Sequence, residues 1–244
     1  MTEPRGTDHT NVGDPIPVRR TSPVGRGGSG DHFAAPPGSS RSGCLRFTNG
    51  AHRIVIRADL QLQGLYRARF GDLTPVVGVR RGVVTIVYPR LPTGDWLGCR
   101  SGRPAEVALN VRVPWDVEIR GGASRLLADL RGLRLGSLRL EGGSSRIEVM
   151  LPASSNTVAV LILGGASNVV VYRPEGVAAR LRVQGGVTNL RFDDQRIGAA
   201  GGELDLGSRD YDRAADRCDV TVTGGANNLS LYEQQEMTNS GAST

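Results

Sequence analysis

The sequence contains no lysine: all 30 of its basic residues are arginine. With 24 carboxylates the net charge is +6, which permits attraction to acidic surfaces without specifying one. The arginines are scattered among Asp and Glu and are not interleaved with aromatics, so no nucleic-acid surface is expected. Uniform arginine reads instead as the codon bias of a GC-rich genome. Aromatics make up only 5% of the chain, too few for a core built on rings. The three cysteines, Cys44, Cys99 and Cys218, are odd in number and far apart. They form neither a zinc site nor a disulfide framework. Three histidines cannot supply a catalytic triad, since His9 and His32 fall in an N-terminal stretch without periodicity. Long apolar runs are missing too, so no membrane-spanning helix is expected. Met1–Gly43 lacks the apolar centre of a signal peptide, and a cytoplasmic chain is the expectation.

Glycine is what the chain has in quantity, at 34 residues, and ten of these form the five pairs of a recurring motif. Gly121-Gly122-Ala123-Ser124-Arg125-Leu126 returns as Gly142-Gly143-Ser144-Ser145-Arg146-Ile147 and as Gly164-Gly165-Ala166-Ser167-Asn168-Val169. Two further copies are Gly185-Gly186-Val187-Thr188-Asn189-Leu190 and Gly224-Gly225-Ala226-Asn227-Asn228-Leu229. The steps between copies are 21, 22, 21 and 39 residues. A fixed period of that size marks stacked supersecondary units. Apolar residues alternate on both sides of each pair, as in Val160 and Ile162 before Gly164 and Val169 and Val171 after Gly165. Period two on both flanks predicts a half-buried strand, a corner and a second half-buried strand. The glycines suit a sharp corner or a close backbone approach. Five near-identical corners favour a β-solenoid with coils of about 21 residues over a row of hairpins. Equivalent residues then stack about 4.8 Å apart.

The fifth motif position reads Arg125, Arg146, Asn168, Asn189 and Asn228. Stacked asparagine amides can hydrogen-bond along the stack, and the Ser, Thr and Asn of the fourth position can do the same. Arg125 and Arg146, one coil apart and alike in charge, are expected to point into solvent. These polar rows read first as structure and only second as a ligand groove.

Residues 1–43 are rich in Pro, Gly, Ser and Arg and are expected to be a disordered tail. The solenoid domain is placed at 44–233, with irregular coils and a cap over 44–114 and regular repeats over 115–233. A short tail, 234–244, follows. Asn49-Gly50-Ala51-His52-Arg53-Ile54 is a degenerate corner, which puts His52 at an exposed Ser-type position. Trp115 is expected against the end of the core, and Thr93–Gly98 in a loop. The long step to Gly224 carries an acidic stretch in which Asp210, Asp212 and Asp216 could gather a cation. It lacks the glycine and terminal glutamate of a calcium loop, and the interleaved arginines make local ion pairs the simpler reading.

The run from Pro114 to Leu126, Pro-Trp-Asp-Val-Glu-Ile-Arg-Gly-Gly-Ala-Ser-Arg-Leu, together with its recurrences, resembles the bacterial adhesin-type or toast-rack β-solenoid family. The likeness covers roughly Leu45 to Tyr232 and is to uncharacterised actinobacterial members. It implies an all-β solenoid with adhesin-like shape and no defined catalytic residues.

Read together, these features predict an all-β, single-domain, non-enzymatic scaffold or protein-interaction module. An unknown protein or a further copy of the chain is the expected partner, without cofactor, nucleic acid or membrane insertion. A glycan- or anion-binding module is the alternative. A carbohydrate-active β-helix enzyme is less favoured, because it needs converging carboxylates. Glu148 has only Leu127, Val170, Arg191 and Ser230 as its counterparts.

Overall fold

The computed structural model describes residues 32–35, 41–71, 75–89, 103–153 and 156–234. Nineteen strands form two sheets that share one aliphatic core, and no helix occurs among the described residues. Six rungs make up the body. Each rung gives one strand to either sheet and turns between them at a tight corner. In chain order the rungs are β2 (Gly43–Thr48) with β3 (Ala51–Asp59), β8 (Pro114–Arg120) with β9 (Ala123–Asp129), and β10 (Arg134–Glu141) with β11 (Ser144–Met150). The others are β12 (Thr157–Leu163) with β13 (Ala166–Pro174), β14 (Ala178–Val183) with β15 (Val187–Phe192), and β18 (Arg217–Val222) with β19 (Ala226–Gln234). Neighbouring rungs pair in parallel in both sheets.

The period-two pattern explains which side each strand buries. On β12 Val158, Val160 and Ile162 face inward, and on β13 Val169 and Val171 meet them from the opposite sheet. Each such aliphatic side chain removed from water contributes about 1.5–3 kcal/mol. The outward positions of the first sheet carry a ladder of charge. Arg46 binds Glu118 at 2.7 Å, Arg120 reaches Glu118 at 2.9 Å, and Arg139 holds Glu141 at 2.8 Å. The hydrogen bond from Arg46, together with both guanidinium charges, holds the Glu118 carboxyl below its usual range. Trp115 lies in the core at 1% exposure, and its indole N–H donates to the Asn110 carbonyl at 2.9 Å.

The corner contains one residue more than a simple alternation allows. Ala166 is buried, Ser167 and Asn168 both face out, and Val169 is buried again. In the ladder between β11 and β13, Ser145 pairs with Ser167 and Ile147 with Val169, so Arg146 and Asn168 are passed over. Both take the left-handed conformation, at φ 53° and 54°, as do Asn189 and Asn228. Asparagine tolerates that region better than most residues, which gives the fifth position a backbone reason as well as a hydrogen-bonding one.

Two expectations need correction. The rungs do not stack in chain order: β18–β19 enters between β12–β13 and β14–β15. The 39-residue step is what allows this. Within it β16 (Gln195–Ala200) and β17 (Leu204–Gly207) pair antiparallel onto β15 and β14 and close that end of the stack. The chain then returns, and its last repeat is inserted with neighbours on both sides. The Gly201-Gly202 pair joins the antiparallel strands β16 and β17 and starts no further coil.

The second correction concerns the N-terminal end. Outside the first rung lie the parallel strands β6 (Val83–Val87) and β7 (Ala105–Asn110). Beyond them, β4 (Tyr66–Arg69) and β5 (Val76–Arg80) pair antiparallel. A strand from the supposed tail, β1 (His32–Ala35), completes that sheet. Phe33 explains its docking. Its ring is buried and meets Phe70 edge-on at 5.4 Å, so the solenoid unit starts earlier than residue 44. The rungs themselves run from Gly43 to Gln234. Residues 1–31, the Thr93–Gly98 loop, Cys99 and the 235–244 stretch lie outside the described residues.

Candidate functional site

The corners of all six rungs lie side by side, and together they form a groove of about 1550 Å³ along the stack. Six rungs at about 4.8 Å give its floor a length of roughly 24 Å between the first and last corner. The lining comes from the second glycine and the third and fourth positions of each motif. Gly143, Ser144 and Ser145 supply one rung and Gly165, Ala166 and Ser167 the next. In the middle rungs the contributing side chains are Ala and Ser beside glycine, so much of the surface there is backbone. Third-position N–H groups are used to join rungs. Ser144 donates to the Gly165 carbonyl and Ala166 to that of Gly225, each at 3.0 Å. By contrast, among the described residues the N–H groups of Gly143, Gly165, Gly225 and Gly185 have no backbone acceptor. These four glycines follow one another rung by rung along the groove. Four of the residues that line the groove therefore keep a backbone N–H that is not used to join rungs.

Its charge is one-sided. Arg53, Arg103 and His52 line the end nearest β3 and β7, and among the described residues no carboxylate contributes to the lining. The fourth-position row, read from the sequence first as structure and second as a ligand groove, lines it through Ser124, Ser145, Ser167, Thr188 and Asn227. The available signal was third and fourth positions that stay small in the regular repeats.

The fifth-position residues lie beside the groove, on the outer face. Asn228 donates to the Asn168 amide oxygen at 2.9 Å and accepts from Asn189 at 3.0 Å. The ladder thus runs 168, 228, 189, following the inserted rung rather than the chain. Thr188 donates to the Asn227 amide oxygen at 2.8 Å, and Ser145 to the Ser124 carbonyl at 3.1 Å. Arg125 and Arg146 continue the row and are exposed, but Arg125 does not take the left-handed conformation. Of the glycines singled out, Gly121, Gly122, Gly142, Gly164 and Gly186 have positive φ, whereas Gly224 and Gly225 do not.

Replacing the central asparagine tests the ladder. Asn228→Ala loses two hydrogen bonds, worth about 0.5–1.5 kcal/mol each, and places alanine where left-handed backbone costs about 1–2 kcal/mol. A total loss of about 2–5 kcal/mol is expected in urea denaturation. Asn228→Gly keeps the backbone conformation free of cost and should lose less. Equal losses for the two variants would show that the ladder alone sets the effect.

Other polar groups have structural work. Arg173, only 5% exposed, binds Asp193 at 2.9 Å and Glu233 at 3.3 Å and so ties β13 to β19 and to the β15–β16 turn. Burial pushes the Cys218 thiol up to about 12, which leaves it protonated and unreactive. Cys44 is raised as well, chiefly by desolvation, and both are free thiols. Asp210, Asp212 and Asp216 do not converge, and no group of three metal-ligating side chains occurs among the described residues. The acidic loop is pinned instead by Tyr211, which donates to Asp219 and sits between Arg180 and Arg217 at 5.7 and 5.6 Å. On the outer face of the other sheet, Tyr172 and Tyr232 stand side by side with ring centroids 6.2 Å apart. Glu148 there pairs with Leu127 and Val170, as expected from the repeat.

Comparison with known proteins agrees with this architecture. Residues 92–172 match the family described as the N-terminal domain of toast_rack, DUF2154. The fold is similar to the crystal structure of a "putative cell adhesion protein" from Clostridium sporogenes ATCC 15579, at a TM-score of 0.62 and 16% identity. That match covers 84% of this chain and 99% of the other. No curated protein matches the chain in sequence. No helix among the described residues is long and apolar enough to cross a membrane.

Proposed function

We propose that this chain, similar to the toast-rack family over residues 92–172, is a non-enzymatic β-solenoid scaffold that holds an extended polypeptide partner in its corner groove. The observation that carries the reading is the row of small residues along the groove, with glycine N–H groups that lack a backbone acceptor at four of its six corners. An extended main chain supplies carbonyl acceptors at close intervals and needs little width, which suits such a surface. Among the described residues the lining brings together no pair of titratable groups suited to acid–base or nucleophilic chemistry. The adhesion role named for the Clostridium sporogenes protein fits a molecule that works by contact.

A second reading, glycan binding, is favoured by one observation. Tyr172 and Tyr232 form a half-exposed two-ring platform, with Arg191 donating to the Tyr232 hydroxyl at 3.1 Å. Aromatic faces beside polar groups are suited to sugar rings.

Two variants separate these uses. Ser145→Trp with Ser167→Trp fills the groove from its wall, while Tyr172→Ala with Tyr232→Ala removes the platform. Polypeptides photo-cross-linked from the Ser124 position should disappear in the first variant and persist in the second, with both proteins melting as wild type. Glycan-array binding that survives the first variant and is lost in the second would move the function to the platform. Cross-links undiminished by the two tryptophans would sink the groove reading.

A further inference from the structure

The two ends of the stack differ in a way that the groove does not explain. At the N-terminal end the outermost strands are β5 in one sheet and β1 in the other. At the opposite end they are β17 and β16. Each is hydrogen-bonded to a neighbour on one side only among the described residues, so each offers a row of free N–H and C=O groups. β5 and β17 belong to the same sheet, as do β1 and β16. A second copy translated along the stack therefore brings β5 beside β17 and β1 beside β16. β5 and β17 both run against the body of their sheet, which makes their pairing parallel. β1 runs with the body of its sheet and β16 against it, which makes theirs antiparallel. Neither pairing requires a strand to reverse.

Charge selects the same arrangement. Residues 64–71 and 75–89, at the N-terminal end, carry Arg67, Arg69, Arg80 and Arg81 and no carboxylate. Of these Arg67 is engaged with Asp59 at 2.8 Å. Residues 193–216, at the other end, carry seven carboxylates against three arginines. Asp193 is held by Arg173 and Asp205 by Arg180 and Arg182. Asp194, Glu203, Asp210, Asp212 and Asp216 make no ion pair among the described residues. Unlike ends attract and like ends repel, so the ends match head to tail and not head to head. The N-terminal end also carries Val76 on β5 at 73% exposure and Leu60 at 75%, the two most exposed large apolar side chains among the described residues.

We propose that copies of this chain associate head to tail, with β5 and β1 of one copy adding to β17 and β16 of the next. The interface is heterologous and translation does not close it, so it builds an open linear stack. The corner grooves of successive copies then lie in line. This holds whatever occupies the groove.

Sedimentation velocity of the full chain over a concentration series tests it. At 0.1 M salt the weight-average sedimentation coefficient should rise with concentration. At 1 M salt, where the screening length falls from about 10 Å to about 3 Å, association should weaken about tenfold or more. Arg69→Glu with Arg80→Glu, and separately Glu203→Arg with Asp210→Arg, should each sediment as monomers with unchanged melting. An equimolar mixture of the two should associate again, since each then presents the charge that the other lacks. A wild-type chain that stays monomeric at low salt overturns the proposal. So does association that is insensitive to salt, or that both charge-reversed variants retain. The wild-type salt series alone decides the matter if either variant misfolds.

Discussion

A Val169→Asp protein shows no cooperative thermal transition and loses its β-type circular dichroism. Val169 is 1% exposed and lies directly beside Ile147 of β11 and Leu229 of β19, both in the core. The substitution removes about 1.5–3 kcal/mol of apolar burial. It also puts a carboxyl among aliphatic neighbours that offer it no partner. Kept charged, the group costs several kcal/mol or more; taking up a proton, it still leaves an unpaired polar group buried. Whole domains are stable by only about 5–15 kcal/mol, so this one change consumes most of that margin. Position in the stack makes it worse, because a middle rung supports both of its neighbours. Val170→Thr, one residue along and facing outward, should change stability by less than about 0.5 kcal/mol. A cooperatively melting Val169→Asp protein with wild-type circular dichroism would contradict the shared core.

The contrast between these adjacent valines shows what the sequence makes legible. Alternation of apolar residues fixes which side of each strand is buried, because side chains on a strand change face at every step. Val169, Ile147, Leu126, Leu190 and Leu229 could therefore be placed in one core from the repeat alone, and all are buried. The corner glycines were equally plain. Rung order was not, because it depends on which edge the last repeat joins, and every copy of the motif offers a similar edge. Asn168 and Asn189 looked adjacent at a 21-residue step, yet Asn228 lies between them. β1 was hidden for a different reason. A four-residue strand held by one phenylalanine has too little periodicity to stand out from a Pro/Gly-rich stretch. The groove was legible only as the second reading of the polar rows, because much of its lining is backbone, which side-chain patterns do not report.

Gly224→Ala is strongly destabilising, while Gly225→Ala is nearly silent. The sequence treats the two glycines alike, but the fold does not. A Cβ at Gly224 would lie 2.5 Å from the carbonyl carbon and oxygen of Gly164 and 2.8 Å from the Gly165 nitrogen. Those atoms are the backbone of the neighbouring rung, which cannot yield without parting β18–β19 from β12–β13. A Cβ at Gly225 would meet nothing closer than the Gly185 carbonyl oxygen at 3.4 Å. Neither residue has positive φ, so conformational strain does not separate them and sterics alone remain. Overpacking costs about 1–3 kcal/mol, and a clash with backbone belongs at the upper end of that range. For Gly225 the reduced freedom of the unfolded chain, worth about 0.4–1 kcal/mol, offsets most of any crowding. Urea denaturation at matched m-values should therefore rank Gly224→Ala about 2 kcal/mol or more below Gly225→Ala. Gly224 meets Gly164 because the last repeat is inserted beside the third. Equal stability of the two variants would contradict that close backbone approach.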